Sequence, residues 1–275
     1  MLKSSPTLVA LTLIASLALG GCAAEPEHTG PPPSADDSAE ESTAPRNDDP
    51  EIGDQDLSIL GKYAVEGDEI VDPDVPDDYA VVWERFTELF PAETHPEITM
   101  FVAIDAEESG GTDGALERNR LRPDERYLAI DVTGWDEPDE LDRTLIHEFA
   151  HLMTLRASQV TDEIDDEDCP LYANKGCPLP GSYLEAWETE FWPDAADPDF
   201  SEEDDAMQAR YDEDEDGYVT EYAATNPDED IAESFASWVV DDTEVTEGTV
   251  VAEKLAFFED YPELVQLKED ILAAL

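Results

Sequence analysis

The 275-residue chain carries 72 Asp and Glu against 14 Lys and Arg, a formal net charge of -58. That balance excludes recognition of a nucleic-acid backbone, which needs a positive surface, and reads instead as a heavily hydrated face that keeps the protein soluble. One sizeable domain with a cleft fits this length, and no internal repeat divides it.

At the amino terminus, Lys3 precedes an apolar run over residues 7–19. Its length suits a secretory signal and falls short of a comfortable membrane span. The run ends in Leu19-Gly20-Gly21-Cys22. This resembles a bacterial lipobox, which implies a signal peptide over residues 1–21 and a lipid on the Cys22 thiol. The chain would then be exported and held at the outer face of a bacterial membrane by that lipid alone. A plain secretory signal with an incidental cysteine is the alternative. Lipidation of Cys22 leaves Cys169 and Cys177, an even pair in an oxidising compartment, expected to form a disulfide. A zinc site from these two is the weaker option, because neither has a nearby His. Residues 22–57 are rich in Pro, Ser, Asp and Glu and read as a disordered tether.

The folded domain is expected over residues 58–275. Helical spacing of Val82, Phe86, Leu89 and Phe90 predicts a helix over 79–90, stopped by Pro91. Residues 98–104 alternate and are β-branched or aromatic, so they read as a strand; residues 127–132 read as a second, closed by Gly134. Asp136 or Asp139 can cap a largely apolar helix running to about residue 156. Residues 157–216 read as a loop-rich insertion holding the cysteine pair. Its aromatic segment, Tyr183, Trp187, Phe191 and Trp192, reads as core packing before a substrate platform. A further apolar helix over about 229–240 and two short helices finish the chain.

Chemistry concentrates in His147-Glu148-Phe149-Ala150-His151. Residues four apart share a helix face, so both imidazoles can meet one zinc ion, with Glu148 beside it to deprotonate a bound water. A catalytic zinc needs a third protein ligand. Glu229 and Glu233, also four apart, are the candidates, one as ligand and the other to orient a ligand His. Spacing alone does not choose between them. Asp212-x-Asp214-x-Asp216-Gly217 reproduces the first half of a calcium loop, but the closing position, 223, is Ala.

The His-Glu-x-x-His motif followed by Tyr222-x-x-Thr-Asn-x-x-Glu229-x-x-x-Glu233 resembles the gluzincin metallopeptidases, particularly the anthrax lethal-factor-like branch. The resemblance covers about a third of the chain. It implies Glu229 as the third zinc ligand, Glu233 as its neighbour behind a histidine, and Tyr222 as a group stabilising the tetrahedral oxyanion. It also implies an α+β zincin-like fold: a small sheet, an active-site helix pair, and an edge strand near residues 127–132 bordering the cleft. The expected activity is hydrolysis of a peptide or protein substrate, with a zinc-binding but non-catalytic adhesion module as the alternative. The oligomeric state stays open.

Overall fold

A computed structural model describes residues 57–119, 121–135, 138–162, 169–172, 175–193, 200–241 and 246–275. The expected signal and almost all of the tether, with Cys22, lie outside these residues, as does Asp136. Strand β1 (Ile59–Glu66) turns at Gly67, whose φ of 62° suits only glycine comfortably, into the short β2 (Glu69–Ile70). Helix α1 (Asp77–Leu89) buries Trp83, Phe86 and Leu89, and Phe90 ends it ahead of Pro91. Three strands follow: β3 (Ile98–Ile104), β4 (Gly114–Arg118) and β5 (Arg126–Asp131).

The sheet order is β2-β1-β3-β5-β4, parallel only between β3 and β5. Both strands read from the sequence are present, β5 one residue earlier than expected. Its expected place at the edge is wrong. All six residues of β5 are buried between β3 and β4, and β4 is the edge beside the cleft. A strand flanked on both sides and covered on both faces needs an apolar run, and Tyr127-Leu128-Ala129-Ile130 is what made β5 visible. The sequence of β4, Gly-Ala-Leu-Glu-Arg, is too short and polar to signal a strand at all.

Alternation along the strands sorts side chains to two faces. Phe101, Ala103, Leu128 and Ile130 join the main core, while Val102, Ile104, Ala115, Tyr127 and Ala129 form a smaller cluster. The motif helix, α2 (Pro138–Leu155), enters the main core through Leu145, Ile146, Phe149 and Leu152. Asp139 lies inside its first turn and does not cap it. The Phe149 ring stacks on Phe90 at a centroid distance of 4.0 Å. Each such buried side chain contributes about 1.5–3 kcal/mol by leaving water.

The insertion is less loop-like than expected. It carries the Cys169–Cys177 disulfide, α3 (Tyr183–Phe191) and α4 (Asp204–Glu213). Trp187 is fully buried against Phe257 and Phe258, so the aromatic segment packs the core. Helix α5 (Pro227–Val240) lies along α2, and α6 (Val250–Phe257) and α7 (Pro262–Ala274) close the chain. Among the described residues no helix is long and apolar enough to cross a membrane.

Candidate metal centre

Two helix segments build the site. On α2, the four-residue spacing brings His147 and His151 together, their Nε2 atoms 3.0 Å apart. On α5, the local sequence Asn226-Pro227-Asp228-Glu229-Asp230 starts a helix efficiently. Asn226 accepts a hydrogen bond from the Glu229 amide, Pro227 supplies the fixed φ of the first turn, and three acids face the positive helix end. Glu229 holds the position that in a capping box turns back to the cap. Here its Oε2 instead lies 3.2 Å from Nε2 of both His147 and His151.

These three atoms form a triangle with edges of 3.0 to 3.2 Å. Tetrahedral zinc at about 2.0 Å from each ligand would space them by about 3.3 Å. Among the described residues, this is the cluster of acidic, thiol and imidazole groups that could hold an ion. The candidate calcium triad, Asp212, Asp214 and Asp216, does not form a cluster that could hold an ion among the described residues. Asp212 lies in the last turn of α4, where its carboxylate accepts from Gln208, while Asp214 and Asp216 stand exposed just beyond it. Helix persisting to Glu213 prevents the backbone from wrapping an ion there.

Behind each imidazole stands a carboxylate. His147 Nδ1 is 2.8 Å from Glu233 Oε1, and His151 Nδ1 is 3.3 Å from Asp228 Oδ1. Each carboxylate in turn meets a cation: Arg143 Nη2 lies 2.9 Å from Glu233 Oε2, and Lys175 Nζ lies 2.6 Å from Asp228 Oδ2. Thr220 Oγ1 also donates to Glu233, at 2.8 Å. A carboxylate placed behind an imidazole favours the proton on Nδ1 and so leaves Nε2 bare toward the common point.

Charge counting points the same way. Among the described residues, Glu148, Asp228, Glu229 and Glu233 have two paired cations, Arg143 and Lys175, leaving two negative charges for a divalent ion or two imidazolium protons to balance. Without an ion the protons take that role. Burial pulls the His147 pKa down, but Glu229 and Glu233 outweigh it and raise it to about 9. Burial likewise opposes a rise at His151, but Asp228 and Glu229 outweigh it and hold the pKa well above the ordinary imidazole value. Conversely, the imidazoles hold Glu229 well below the usual carboxylate range despite its burial.

Glu148 reaches past the two imidazoles toward β4. A Cβ on Gly114 would stand 2.8 Å from Glu148 Oε1, so only a glycine leaves this carboxylate its room. Glu148 Oε2 is buried without a hydrogen-bond partner, and burial raises the carboxyl pKa against the pull of the two histidines. Tyr222 is half-exposed at the rim, its ring centroid 6.2 Å from that of His147. The Glu229 charge, then burial, raise its pKa and keep the phenol protonated. All these groups border a cleft of about 1370 Å³, walled by residues 106–118 on the β4 side.

Sequence reasoning missed Asp228, Arg143, Lys175 and Gly114. Arg143 had a signal, four residues before His147 on the same helix face, and Asp228 adjoins Glu229. Lys175 and Gly114 come from segments with no periodicity to place them.

No protein-family model matches the chain, and no curated protein matches it. Among solved structures, the chain aligns with a Bacteroides caccae protein provisionally described as a zinc-binding metallo-peptidase. That alignment covers 74% of this chain and 81% of the other at 15% identity, with a TM-score of 0.39. Likeness at that level does not establish a shared fold.

Proposed function

We propose that the chain is a zinc-dependent peptidase whose metal is held by His147, His151 and Glu229, with Glu148 as general base. The observation that carries this reading is the triangle of two Nε2 atoms and one Oε2, with a buried, unpartnered carboxylate beside it. Bound zinc would supply a water of near-neutral pKa, down from about 16 in bulk, and would polarise a carbonyl.

The chain's own residues do the rest. Glu148 Oε2 accepts a proton as water attacks the substrate carbonyl, and returns it to the departing amine. Its raised pKa, caused first by burial, suits a group that must both take and release that proton. Tyr222, protonated and at the rim, donates a hydrogen bond to the oxygen on which negative charge develops. Substrate enters extended along β4, whose outer edge has no partner strand among the described residues. Main-chain hydrogen bonds to such an edge select a peptide and orient it across the metal.

The test is Glu148→Gln. Incubated with a mixed peptide library, the wild-type protein should cleave in a chelator-sensitive manner. The variant should keep its zinc and lose at least ~100-fold in rate, the usual contribution of a general base. Cleavage at the wild-type rate with zinc content unchanged would remove Glu148 from this role. Tight zinc with no cleavage by wild type would make the protein a non-catalytic zinc-binding module.

A further inference from the structure

Of the two cations that back the site, one is placed by a helix and the other is not. Arg143 sits on α2 itself, one turn before His147, and the packing of α2 along α5 is enough to bring it to Glu233. Lys175 arrives from the insertion, in the segment closed by the Cys169–Cys177 disulfide. A lysine on an unrestrained loop would surrender side-chain freedom, besides backbone freedom, to stand at one carboxylate oxygen.

The segment around Lys175 is held from several directions. The amides of Lys175 and Gly176 both donate to the Tyr172 carbonyl, at 2.9 and 3.0 Å. Thr161 and Cys177 are paired twice, through the Thr161 amide to the Cys177 carbonyl and the Cys177 amide to Thr161 Oγ1. Arg118, at the end of β4, donates through Nη1 to the carbonyls of both Lys175 and Thr161. Gly176 lies at φ +94°, where a Cβ would stand 2.3 Å from the Thr161 carbonyl oxygen. The disulfide fastens the far end of this clamp, joining residues eight apart with Cα atoms 5.9 Å from each other.

We propose that Lys175 is a positioning residue for the metal, delivered by the disulfide-closed segment to hold Asp228 against His151. The inference rests on the metal-centre reading above. Asp228 is almost fully buried and lies beside the Glu229 carboxylate, so without the lysine it would be an uncompensated charge next to a like charge. Its carboxylate would then be free to turn away, and His151 would lose the acceptor that fixes its tautomer and ring angle. The metal affinity of the protein is thereby coupled to the cysteine pair, although neither sulfur touches the site.

The experiment uses the full chain and competition for zinc against a chromophoric chelator, so its readout does not depend on activity. Lys175→Met should weaken zinc binding by about 10- to 100-fold, the range for lost groups behind a ligand. Lys175→Arg should recover most of that loss. Cys169→Ser with Cys177→Ser should weaken binding to a similar degree, and adding Lys175→Met should bring little further loss, because both changes act through one contact. Wild-type affinity in Lys175→Met would overturn the proposal, as would a lowered melting temperature of the metal-free protein with zinc affinity intact. Full additivity of the lysine and cysteine losses would overturn the coupling to the disulfide. If the cysteine variant does not fold, Lys175→Met and Lys175→Arg decide the positioning role alone. Failure of the wild-type chain to bind zinc would instead overturn the metal centre itself, and this proposal with it.

Discussion

The His147 and His151 arms of the site have the same composition and different construction. Each runs imidazole, carboxylate, cation: His147–Glu233–Arg143 and His151–Asp228–Lys175. The first is carried entirely by α2 and α5, two helices packed along each other, with Thr220 adding a hydrogen bond to Glu233. The second borrows its cation from a segment held by a disulfide, a positive-φ glycine and Arg118. A helix fixes its side chains by periodicity, so the first arm follows once the helices form. The second exists only after a distant segment has closed. One arm is local and robust; the other is assembled.

Carboxylate substitutions break this comparison with the largest effects. Glu229→Ala removes a ligand and should cost more than the ~100-fold that marks the loss of an orienting group, leaving little metal after dialysis. Glu233→Gln and Asp228→Asn should each cost about 10- to 100-fold in zinc affinity. They should differ in the metal-free protein. The Asp228 side chain is 2% exposed and that of Glu233 12%, so Asp228→Asn should lower the melting temperature more. Zinc content unchanged in Glu229→Ala would remove it from the ligand set, and equal melting temperatures would erase the asymmetry between the arms.

A smaller effect appears in the pH dependence of the metal-free protein. The pKa of His147 in the fold is about 9, above its unfolded value of about 6.5. Its stabilising contribution is therefore complete below pH ~6.5 and lost as pH rises through about 9. His151 and Glu148, both raised, act in the same direction. Glu229, Glu233 and Asp228 are lowered, Asp228 to about 2, so their contribution is present above pH ~4.5 and lost on acidification. Thermal melts without metal should peak between pH ~4.5 and ~6.5, and zinc should extend the plateau to alkaline pH by replacing the two imidazole protons. A metal-free melting temperature constant from pH 6.5 to 9.5 would contradict this charge balance.

The same division governs what the sequence makes legible. His147, His151, Glu229 and Glu233 recur at four-residue intervals, and helical periodicity needs no knowledge of the rest of the fold to bring each pair to one face. Strand β3 is readable from its alternating β-branched and aromatic residues, and β5 from the apolar run of four that burial on both faces demands. Strand β4 borders the cleft with polar residues and a glycine, which is the composition of a loop, so the neighbouring β5 takes its place in a sequence reading. Lys175 is farther from view. Its partner is 53 residues away, and only the closed segment brings the two together. The half-formed calcium motif shows the converse, since a local pattern without its closing carboxylate folds into the end of a helix.

Gly114 offers the finest test of how the general base is placed, separate from the ligands. It opens β4 with ordinary backbone angles, so alanine is tolerated there without strain of its own. The added Cβ, however, would stand 2.8 Å from Glu148 Oε1, 2.9 Å from its Cγ and 3.0 Å from Thr144 Cγ2. Glu148 would have to move by a few tenths of an ångström, while none of the three nearest atoms belongs to His147, His151 or Glu229. A full 1 Å misplacement costs about 100-fold in rate, so Gly114→Ala should lower the rate constant for cleavage by about tenfold. Zinc affinity should not change. A fall in zinc affinity in parallel with rate would mean that β4 supports the ligands as well as the base, and Glu148 could then no longer be treated as placed independently of the metal.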